Sequence, residues 1–167
     1  MNSTGKGDFL NAFVVSIHAA AVSGSDMFEL AEAELVPGRG IVSDRHFDRP
    51  NMGPEDELTL IESEQIEEFN ISAGLQLAPA EARRNVVTRG IRLNEMVGRA
   101  FQVGGVRLLG IELCEPCSHL AALLARQDRL AKLTATDFLR LMAHRAGLRA
   151  QILNAGFLRP GDPVVAG

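Results

Sequence analysis

Both cysteines of this 167-residue chain lie in one short stretch, Cys114-Glu115-Pro116-Cys117-Ser118-His119. A thiol at the start of a helix can be reactive, because the unpaired N–H groups and partial positive charge there favour thiolate over thiol. The spacing leaves four interpretations open: a redox pair, half of a zinc site, two ordinary buried cysteines, or one functional thiolate. A structural zinc site needs four ligands, and even with His119 the sequence offers no second cysteine pair.

Of the two cysteines, we expect Cys117 to be the functional thiol. Pro116 cannot continue a strand ladder and Ser118 can cap a helix, so Cys117 would lie at the bend where a helix begins. Cys114 would finish the preceding strand, which is predicted from its alternating apolar residues, Leu109, Ile111 and Leu113. A redox pair usually follows an early strand of a βαβ unit, whereas this pair follows a predicted hairpin two-thirds along the chain.

A second set of candidate residues could hold an anion. Arg83, Arg84 and Asn85 directly precede a strand-like run, Val86-Val87-Thr88. Guanidinium groups bind phosphate with two parallel hydrogen bonds, and an amide can contact the edge of a heterocycle. The same region carries five arginines in a chain of net charge −4: Arg83, Arg84, Arg89, Arg92 and Arg99. Loose ion pairs at the surface explain such a cluster equally well.

The segment Gly38-Arg39-Gly40-Ile41-Val42-Ser43-Asp44-Arg45-His46 resembles a phosphate-binding loop only superficially. It lacks the Lys-Ser/Thr of a P-loop and the strand–helix context of a dinucleotide fingerprint. We expect Asp44 and Arg45 to pair with each other and to shape a long loop that runs to Glu57. His46 could be a ligand or a base, although a lone histidine is more often a surface or supporting residue.

Composition narrows the possible partners and the compartment. The sequence pI is about 5.6 and the chain has no Trp and no Tyr, which argues against a nucleic-acid partner. No apolar run approaches the roughly 18 residues of a membrane helix. Two close cysteines and a polar start without a secretory signal favour the cytoplasm. We expect a flexible N-terminus over residues 1–12 and a single domain over residues 13–167.

The elements that must position these residues are mostly strands. Gly104-Gly105 between two β-rich runs is a strong hairpin signal, and the second run leads into the cysteines. Ser63 is expected to cap a short helix, and Thr134-x-x-Asp137 has the pattern of a capping box that starts another. Many short strands with a few late helices predict a mainly β fold of the α+β class, a barrel with helices packed outside.

Read in order, several segments resemble a MOSC domain, the family named for the C-terminal domain of molybdenum cofactor sulfurase, and most closely its small stand-alone bacterial members. The motifs that carry the resemblance are Gly38-x-Gly40-Ile41-x-x-Asp44-Arg45-His46, Leu58-Thr59-Leu60-Ile61-Glu62, Arg83-Arg84-Asn85-Val86-Val87-Thr88-Arg89-Gly90-Ile91-x-Leu93-Asn94, Val97-Gly98-Arg99-x-Phe101-x-Val103-Gly104, Glu115-Pro116-Cys117 and Gly161-Asp162. The resemblance implies a closed β-barrel of the pyruvate-kinase barrel type with peripheral helices.

The same resemblance implies a role in molybdenum-cofactor or sulfur metabolism. Cys117 matches the cysteine that ligates molybdenum or carries sulfur in relatives, and thiolate is a soft ligand suited to both tasks. Arg83, Arg84 and Asn85 would hold the anionic end of the pterin cofactor, and Asp44 and Arg45 would order the loop over the site. Asp44, Arg45 and His46 are also expected among the cofactor-binding residues. The implied partners are this cofactor and a protein that donates or accepts sulfur.

Two further readings of the family resemblance stay open. One is a non-catalytic module that delivers cofactor or sulfur to a partner enzyme. The other is a molybdenum-dependent reductase of N-hydroxylated compounds, which would need an electron-transfer partner. Full sulfurases add a pyridoxal-phosphate desulfurase domain that these 167 residues do not contain, so we expect persulfide to come from elsewhere. Ser43 stands where most small members have Gly, which would alter that loop. Whether the protein is an enzyme is left open.

Overall fold

Short strands dominate the computed structural model, which describes residues 11–127 and 132–167. The strands are β1 Phe13–Ala19, β2 Phe28–Glu29, β3 Ala33–Val36, β4 Gly40–Ile41, β5 Leu58–Glu62, β6 Val86–Arg89, β7 Ala100–Val103, β8 Val106–Leu113, β9 Leu148–Ile152, β10 Gly156–Leu158 and β11 Val164–Ala166. The helices are α1 Ser63–Ala73, α2 Ser118–Ala125 and α3 Ala135–Met142. None of the helices in the described ranges is long and apolar enough to cross a membrane.

Eight of the strands form one curled sheet in the order β11-β7-β8-β9-β5-β6-β1-β2. Its neighbours are antiparallel except β5 and β6, which run parallel and are connected through α1. A parallel pair needs such a crossover, whereas antiparallel neighbours can be joined by a tight turn. A second sheet of three strands has the order β10-β3-β4.

Each face of the curled sheet has its own apolar core, because side chains along a strand alternate between faces. Leu60 and Val86 belong to the core that the three-stranded sheet covers with residues such as Leu35. Their neighbours Ile61 and Val87 belong to the other core, which α1, α2 and α3 cover. The fold is therefore α+β, with a small sheet on one face of the curled sheet and helices on the other.

The expectation of a closed pyruvate-kinase-type barrel is wrong. The curled sheet is an open half-barrel whose edges lie 19 Å apart. Its edge strands, β2 and β11, have only two and three residues, and their separation far exceeds the roughly 5 Å between hydrogen-bonded strands. A bridge between Phe13 and Pro163 joins the start of β1 to the turn before β11. Backbone hydrogen bonds support it in the same corner: Val14 N donates to the Asp162 carbonyl, Gly161 N to the Val14 carbonyl and Val164 N to the Ala12 carbonyl.

Several local predictions are confirmed and two are wrong by one residue. The Gly104-Gly105 hairpin joins β7 to β8, and Thr134 caps α3 by accepting a hydrogen bond from Asp137 N. Ser63 does not cap α1 but is its first residue. Ser118 does not cap α2, because that role falls to Cys117. The predicted flexible N-terminus lies mostly outside the described residues; within it, Ala12 is buried in the core.

Candidate functional site

A cavity of about 130 Å³ lies at one end of the helix-covered face of the curled sheet. Thr59 of β5 and Asn85, next to β6, have the same facing as Ile61 and Val87 further along, which pack under the helices. Arg149 pairs with Thr59 across β5 and β9 and lines the same cavity. The site is therefore built where three neighbouring strands begin or end, just beyond the cover of the helices.

All six residues predicted to bind a cofactor line this one cavity. They come from two segments that are far apart in sequence and converge here: Asp44, Arg45, His46, Arg83, Arg84 and Asn85. The structure thus brings the predicted set together. Their role toward a cofactor stays a prediction.

The Asn85 side chain holds neighbouring strands together. Its Oδ1 accepts hydrogen bonds from Thr59 N at 3.1 Å and Thr59 Oγ1 at 3.0 Å. Its Nδ2 donates to the His18 carbonyl at 3.2 Å. Asn85 therefore ties β5 to β1 at the floor of the cavity, which leaves at most one amide hydrogen for a ligand.

Four arginines line the cavity: Arg45, Arg83, Arg84 and Arg149. Arg149 lies 3.7 Å from Asp56 and 3.6 Å from Glu112, whereas Arg83 and Arg84 are held by backbone carbonyls. Arg84 Nε donates to the Ala146 carbonyl at 2.8 Å, and Arg83 Nη1 donates to the Ser25 carbonyl at 2.7 Å. Within residues 11–127 and 132–167, neither of them nor Arg45 forms an ion pair. Within the described residues, no carboxylate at ion-pair distance neutralises the positive charge of these three side chains.

Arg83 has a buried hydrogen-bond donor that lacks an acceptor. Its Nη2 is buried and has no hydrogen-bond partner. Burial lowers the pKa of the Arg83 guanidinium, the nearby Arg45 lowers it further, and Asp26 and Asp44 partly offset both effects. The residue still carries its charge at neutral pH, because arginine does not deprotonate in proteins. An anion in the cavity would relieve the repulsion between the guanidinium groups and satisfy the buried N–H group.

The loop over the cavity is shaped by Asp44, although not through the expected pairing with Arg45. Asp44 Oδ1 accepts from Ala20 N at 3.1 Å and its Oδ2 from His46 N at 3.0 Å. A carboxylate that bonds the backbone two residues on is a common turn device. The Arg45 side chain is thereby free of its neighbour. Burial lowers the pKa of His46, the positive charge of Arg45 adds to that effect, and Asp44 opposes it.

The arginines that the sequence grouped together do not stay together. Arg89 pairs with Glu67, with Nη1 to Oε1 at 2.7 Å, and Arg92 pairs with Glu95 at 3.8 Å. Arg99 donates to the Gly167 carbonyl at 3.1 Å. These three lie outside the cavity, and two of them, Arg89 and Arg92, form the surface ion pairs that the alternative interpretation expected. Arg83 and Arg84 are the arginines of this region that line the cavity.

The two cysteines occupy different environments. Cys117 is exposed and begins α2, where its Sγ accepts a hydrogen bond from Leu120 N at 3.4 Å. The expected place of this thiol at a helix start is confirmed. Cys114 is buried and lines the cavity, and Cys117 is not among the lining residues. Sequence reasoning therefore missed Cys114 as a site residue.

One turn, at residues 144–147, positions both the cysteine motif and an arginine of the cavity. The Gly147 carbonyl accepts from Cys114 N at 2.8 Å, next to the Ala146 carbonyl that holds Arg84. His144 N donates to Glu115 Oε2 at 3.0 Å, and its Nδ1 lies 2.8 Å from Oε1. That backbone hydrogen bond is the main reason that the pKa of Glu115 is lowered. Movement of this turn would displace the thiol and the guanidinium together.

Comparison of the sequence with models of known protein families identifies the family of this chain. The model of the MOSC domain matches residues 48–165, more than half of the chain. This chain belongs to the MOSC domain family. The match covers the arginines before β6 and the cysteine motif, and it begins at Asp48, after Asp44, Arg45 and His46. No curated protein matches this MOSC domain.

Solved structures with the same fold support the assignment. The YuaD protein from Bacillus subtilis superposes with a TM-score of 0.76 at 18% identity, covering 92% of this chain and 93% of that one. YiiM from Geobacillus stearothermophilus has a TM-score of 0.67 at 17% identity, covering 93% and 75%. YiiM from Escherichia coli has a TM-score of 0.65 at 17% identity, covering 92% and 69%. At such identities the likeness establishes the fold alone.

The MOSC family is linked to molybdenum cofactor, and the cavity fits the anionic end of that group. The fit rests on the buried, unpartnered Arg83 Nη2 and on three guanidinium groups without a carboxylate partner. In the described ranges, no three His, Cys, Asp or Glu side chains are grouped to hold a metal ion on their own. A metal that arrives inside a cofactor needs fewer protein ligands, and one soft thiolate suits molybdenum.

Proposed function

We propose that this MOSC domain binds the phosphate of molybdenum cofactor, or of a related pterin, in the cavity lined by Arg45, Arg83 and Arg84. The single observation that carries the proposal is the buried Arg83 Nη2 with no partner, in a cavity where Arg45 and Arg84 also form no ion pair in the described part of the chain. Guanidinium groups bind phosphate through charge-assisted hydrogen bonds, which are about twice as strong as neutral ones.

The size of the cavity agrees with a single oxyanion. Its 130 Å³ equals the liquid volume of about four water molecules, enough for a tetrahedral phosphate. The three carboxylates that share the cavity are already engaged: Asp44 by backbone N–H groups, Asp56 by Arg49 at 3.1 Å, and Glu57 by Ile152 N at 2.9 Å. They therefore oppose the anion less than free carboxylates would.

The thiol of the proposed site comes from the cysteine motif. When bound, molybdenum cofactor supplies a redox-active metal, and Cys117 is the family-based candidate for its thiolate ligand. Cys114 is the alternative that the cavity offers, because it is the cysteine that lines it. In either case the helix start and the 144–147 turn fix the thiol relative to the arginines.

The test is cofactor content after expression in a host that makes molybdenum cofactor. We expect molybdenum and fluorescent pterin to co-purify at near one per chain with the wild-type protein. R83Q should lose most of both, because it removes the charge and the unpartnered donor. R92Q is the matched control, since Arg92 is 81% exposed and lies outside the cavity. Equal cofactor content in R83Q and wild type would refute the proposed site.

The thiol is tested in the same preparations with C114S and C117S. If Cys117 is the ligand, C117S loses molybdenum but keeps some pterin in the cavity, while C114S keeps both. The opposite pattern would move the metal ligand to Cys114 and leave the anion site standing. Retention of full molybdenum by both variants would contradict a thiolate ligand altogether.

A second function, sulfur carriage, is favoured by the exposure of Cys117. A surface thiolate at a helix start can attack a donor persulfide. The outer sulfur and its proton then move to Cys117, and the donor leaves as a thiolate. Incubation with a low-molecular-weight persulfide, followed by intact mass, should show a gain of one sulfur that C117S lacks and C114S retains. A gain that C117S also shows would refute this role.

A further inference from the structure

The segment between β8 and α2 is tied to the rest of the protein at one place, the 144–147 turn. The N–H group of Cys114 donates to the Gly147 carbonyl at 2.8 Å. The Glu115 carboxylate accepts from His144 N at 3.0 Å and lies 2.8 Å from Nδ1 of the same residue. In the described part of the chain, every hydrogen bond that joins Cys114 or Glu115 to another element ends on this turn.

The backbone of His144 has a conformation that needs support from its surroundings. Its φ of 60° lies in the left-handed region, which is uncommon for residues other than glycine. Its N–H group donates to Glu115, and its carbonyl accepts from Asn94 Nδ2 at 2.8 Å. An ionised carboxylate only accepts hydrogen bonds, so the Nδ1 atom against Glu115 carries a hydrogen. Glu115 therefore holds His144 through its backbone and its side chain together.

The other end of the same turn reaches the cavity. The Ala146 carbonyl accepts from Nε of Arg84, and the Gly147 carbonyl accepts from the N–H group of Cys114; both partners line the cavity. Gly147 is packed so closely that an added Cβ would lie 2.0 Å from a backbone carbonyl oxygen of β5. The turn thus has a closely packed end inside the protein and an exposed end at His144, whose side chain is 78% exposed.

We infer that Glu115 and His144 form a surface latch for the proposed site, which positions the Arg84 guanidinium group in the cavity and keeps the Cys114 thiol away from solvent. The first half of this inference rests on the proposed anion site, whereas the shielding of the thiol is independent of it. Neither latch residue lines the cavity, so both are positioning residues. Both lie outside the apolar cores, so the latch can open while the cores stay folded.

Thiol labelling in a C117S background tests the shielding. Serine keeps a cap on α2, and Cys114 is then the only thiol of the chain. We expect E115A to raise the rate at which iodoacetamide labels Cys114 about fivefold or more, because the segment loses its tie to His144. E115Q keeps an oxygen that accepts from His144 N and should restore part of the protection.

E68A is the matched control for E115A. Glu68 is also about half exposed and pairs with Arg145 of the same turn at 2.6 Å, but it makes no hydrogen bond to the cysteine motif in the described residues. E68A should change the labelling rate by less than about twofold. Hydrogen exchange separates the latch from a general loss of stability: in E115A the peptides over the cysteine motif and the turn should exchange faster, while those over β5 and β6 keep the wild-type rate.

The affinity for inorganic phosphate, measured by isothermal titration calorimetry, tests the positioning of Arg84. Loss of a carboxylate by itself makes the surroundings more positive and should tighten the binding of an anion. The latch predicts the opposite. E115A should weaken phosphate binding about threefold or more, because the carbonyl that fixes Arg84 is no longer held in place. E68A removes the same charge without opening the latch and should bind phosphate at least as tightly as wild type.

The outcomes distinguish the latch from the function on which it rests. If E115A behaves like E68A in both assays, the latch is wrong and the anion site stands. Faster labelling of Cys114 with unchanged phosphate affinity would also overturn the latch, because one turn holds both groups. Faster exchange over the whole sheet would overturn it in favour of a general loss of stability. If wild type binds no phosphate, the anion site is wrong, and the labelling of Cys114 alone decides the latch.

Discussion

Replacement of Asn85 by Ala separates a structural role from a binding role at the floor of the cavity. The change removes three side-chain hydrogen bonds, two to Thr59 and one to the His18 carbonyl. At about 1 kcal/mol for each bond, less some relief because water can enter the cavity, the loss should be about 2–3 kcal/mol. Urea unfolding followed by circular dichroism measures it, provided that the slope against denaturant is unchanged.

The control and a second variant make this prediction sharp. Asn94 is exposed and donates one hydrogen bond, to the His144 carbonyl at 2.8 Å, so N94A should cost about 0.5–1 kcal/mol. N85D keeps the oxygen that accepts both hydrogen bonds from Thr59, but it replaces the donor to the His18 carbonyl with a carboxylate oxygen, so it should also be less stable than wild type. It also adds a negative charge beside the arginines and should bind phosphate more weakly than wild type. If N85A costs no more than N94A, Asn85 does not hold the strands together as argued.

Three further predictions concern the turn, the pH dependence and the thiols. G147A should unfold the protein or cost more than about 3 kcal/mol, because its φ is +113° and a Cβ would lie 2.0 Å from the Leu60 carbonyl oxygen; G105A, where a Cβ meets nothing within 4 Å, is the control in the same melt. Burial lowers the pKa of His18 from 6.5, so at acid pH the unfolded state binds more protons than the folded state. Wild-type stability is therefore lost as the pH falls from above 6.5 through the folded-state pKa. H18Q should flatten this pH dependence of the unfolding free energy in urea titrations, and an unchanged pH dependence would contradict the prediction. Iodoacetamide should label exposed Cys117 at least about tenfold faster than buried Cys114, as followed by peptide mass; equal rates would show that Cys114 is not shielded.

Much of the local structure could be predicted because it depends on neighbouring residues. The Gly104-Gly105 turn and the Thr134 cap are decided within four residues, and both are confirmed. Closure of the barrel could not be predicted, because it depends on whether two distant strand edges meet. Those edges consist of two and three residues and lie 19 Å apart. The alternating apolar residues of the inner strands do not indicate how long the two edge strands are.

The set of cavity residues was predictable as a group, although the contacts within it were not. Adjacent opposite charges suggested that Asp44 pairs with Arg45, whereas Asp44 instead bonds the backbone of Ala20 and His46. Ser43, just before it, has a φ of 75°, a left-handed turn that residue types alone do not fix. Because the Asp44 carboxylate bonds the backbone, it does not pair with the Arg45 guanidinium group. The guanidinium group of Arg45 is therefore available to an anion in the cavity.

The placement of Cys114 in the cavity depends on one extra residue in β8. In that strand Gly110 pairs with Ala150, but Glu112 pairs with Arg149, so Ile111 is an added residue in a β-bulge. Without it, Cys114 would have the same facing as Leu108, which is buried in the core under the small sheet. With it, Leu113 pairs with Leu148 of that core, and Cys114 comes to the other face, where Arg149 lines the cavity. The alternation of apolar residues predicted only that Cys114 ends a strand. It could not predict the bulge, because the bulge depends on pairing with β9, which begins more than thirty residues later in the chain. The bulge thus gives this MOSC domain a thiol on the same face as its arginines.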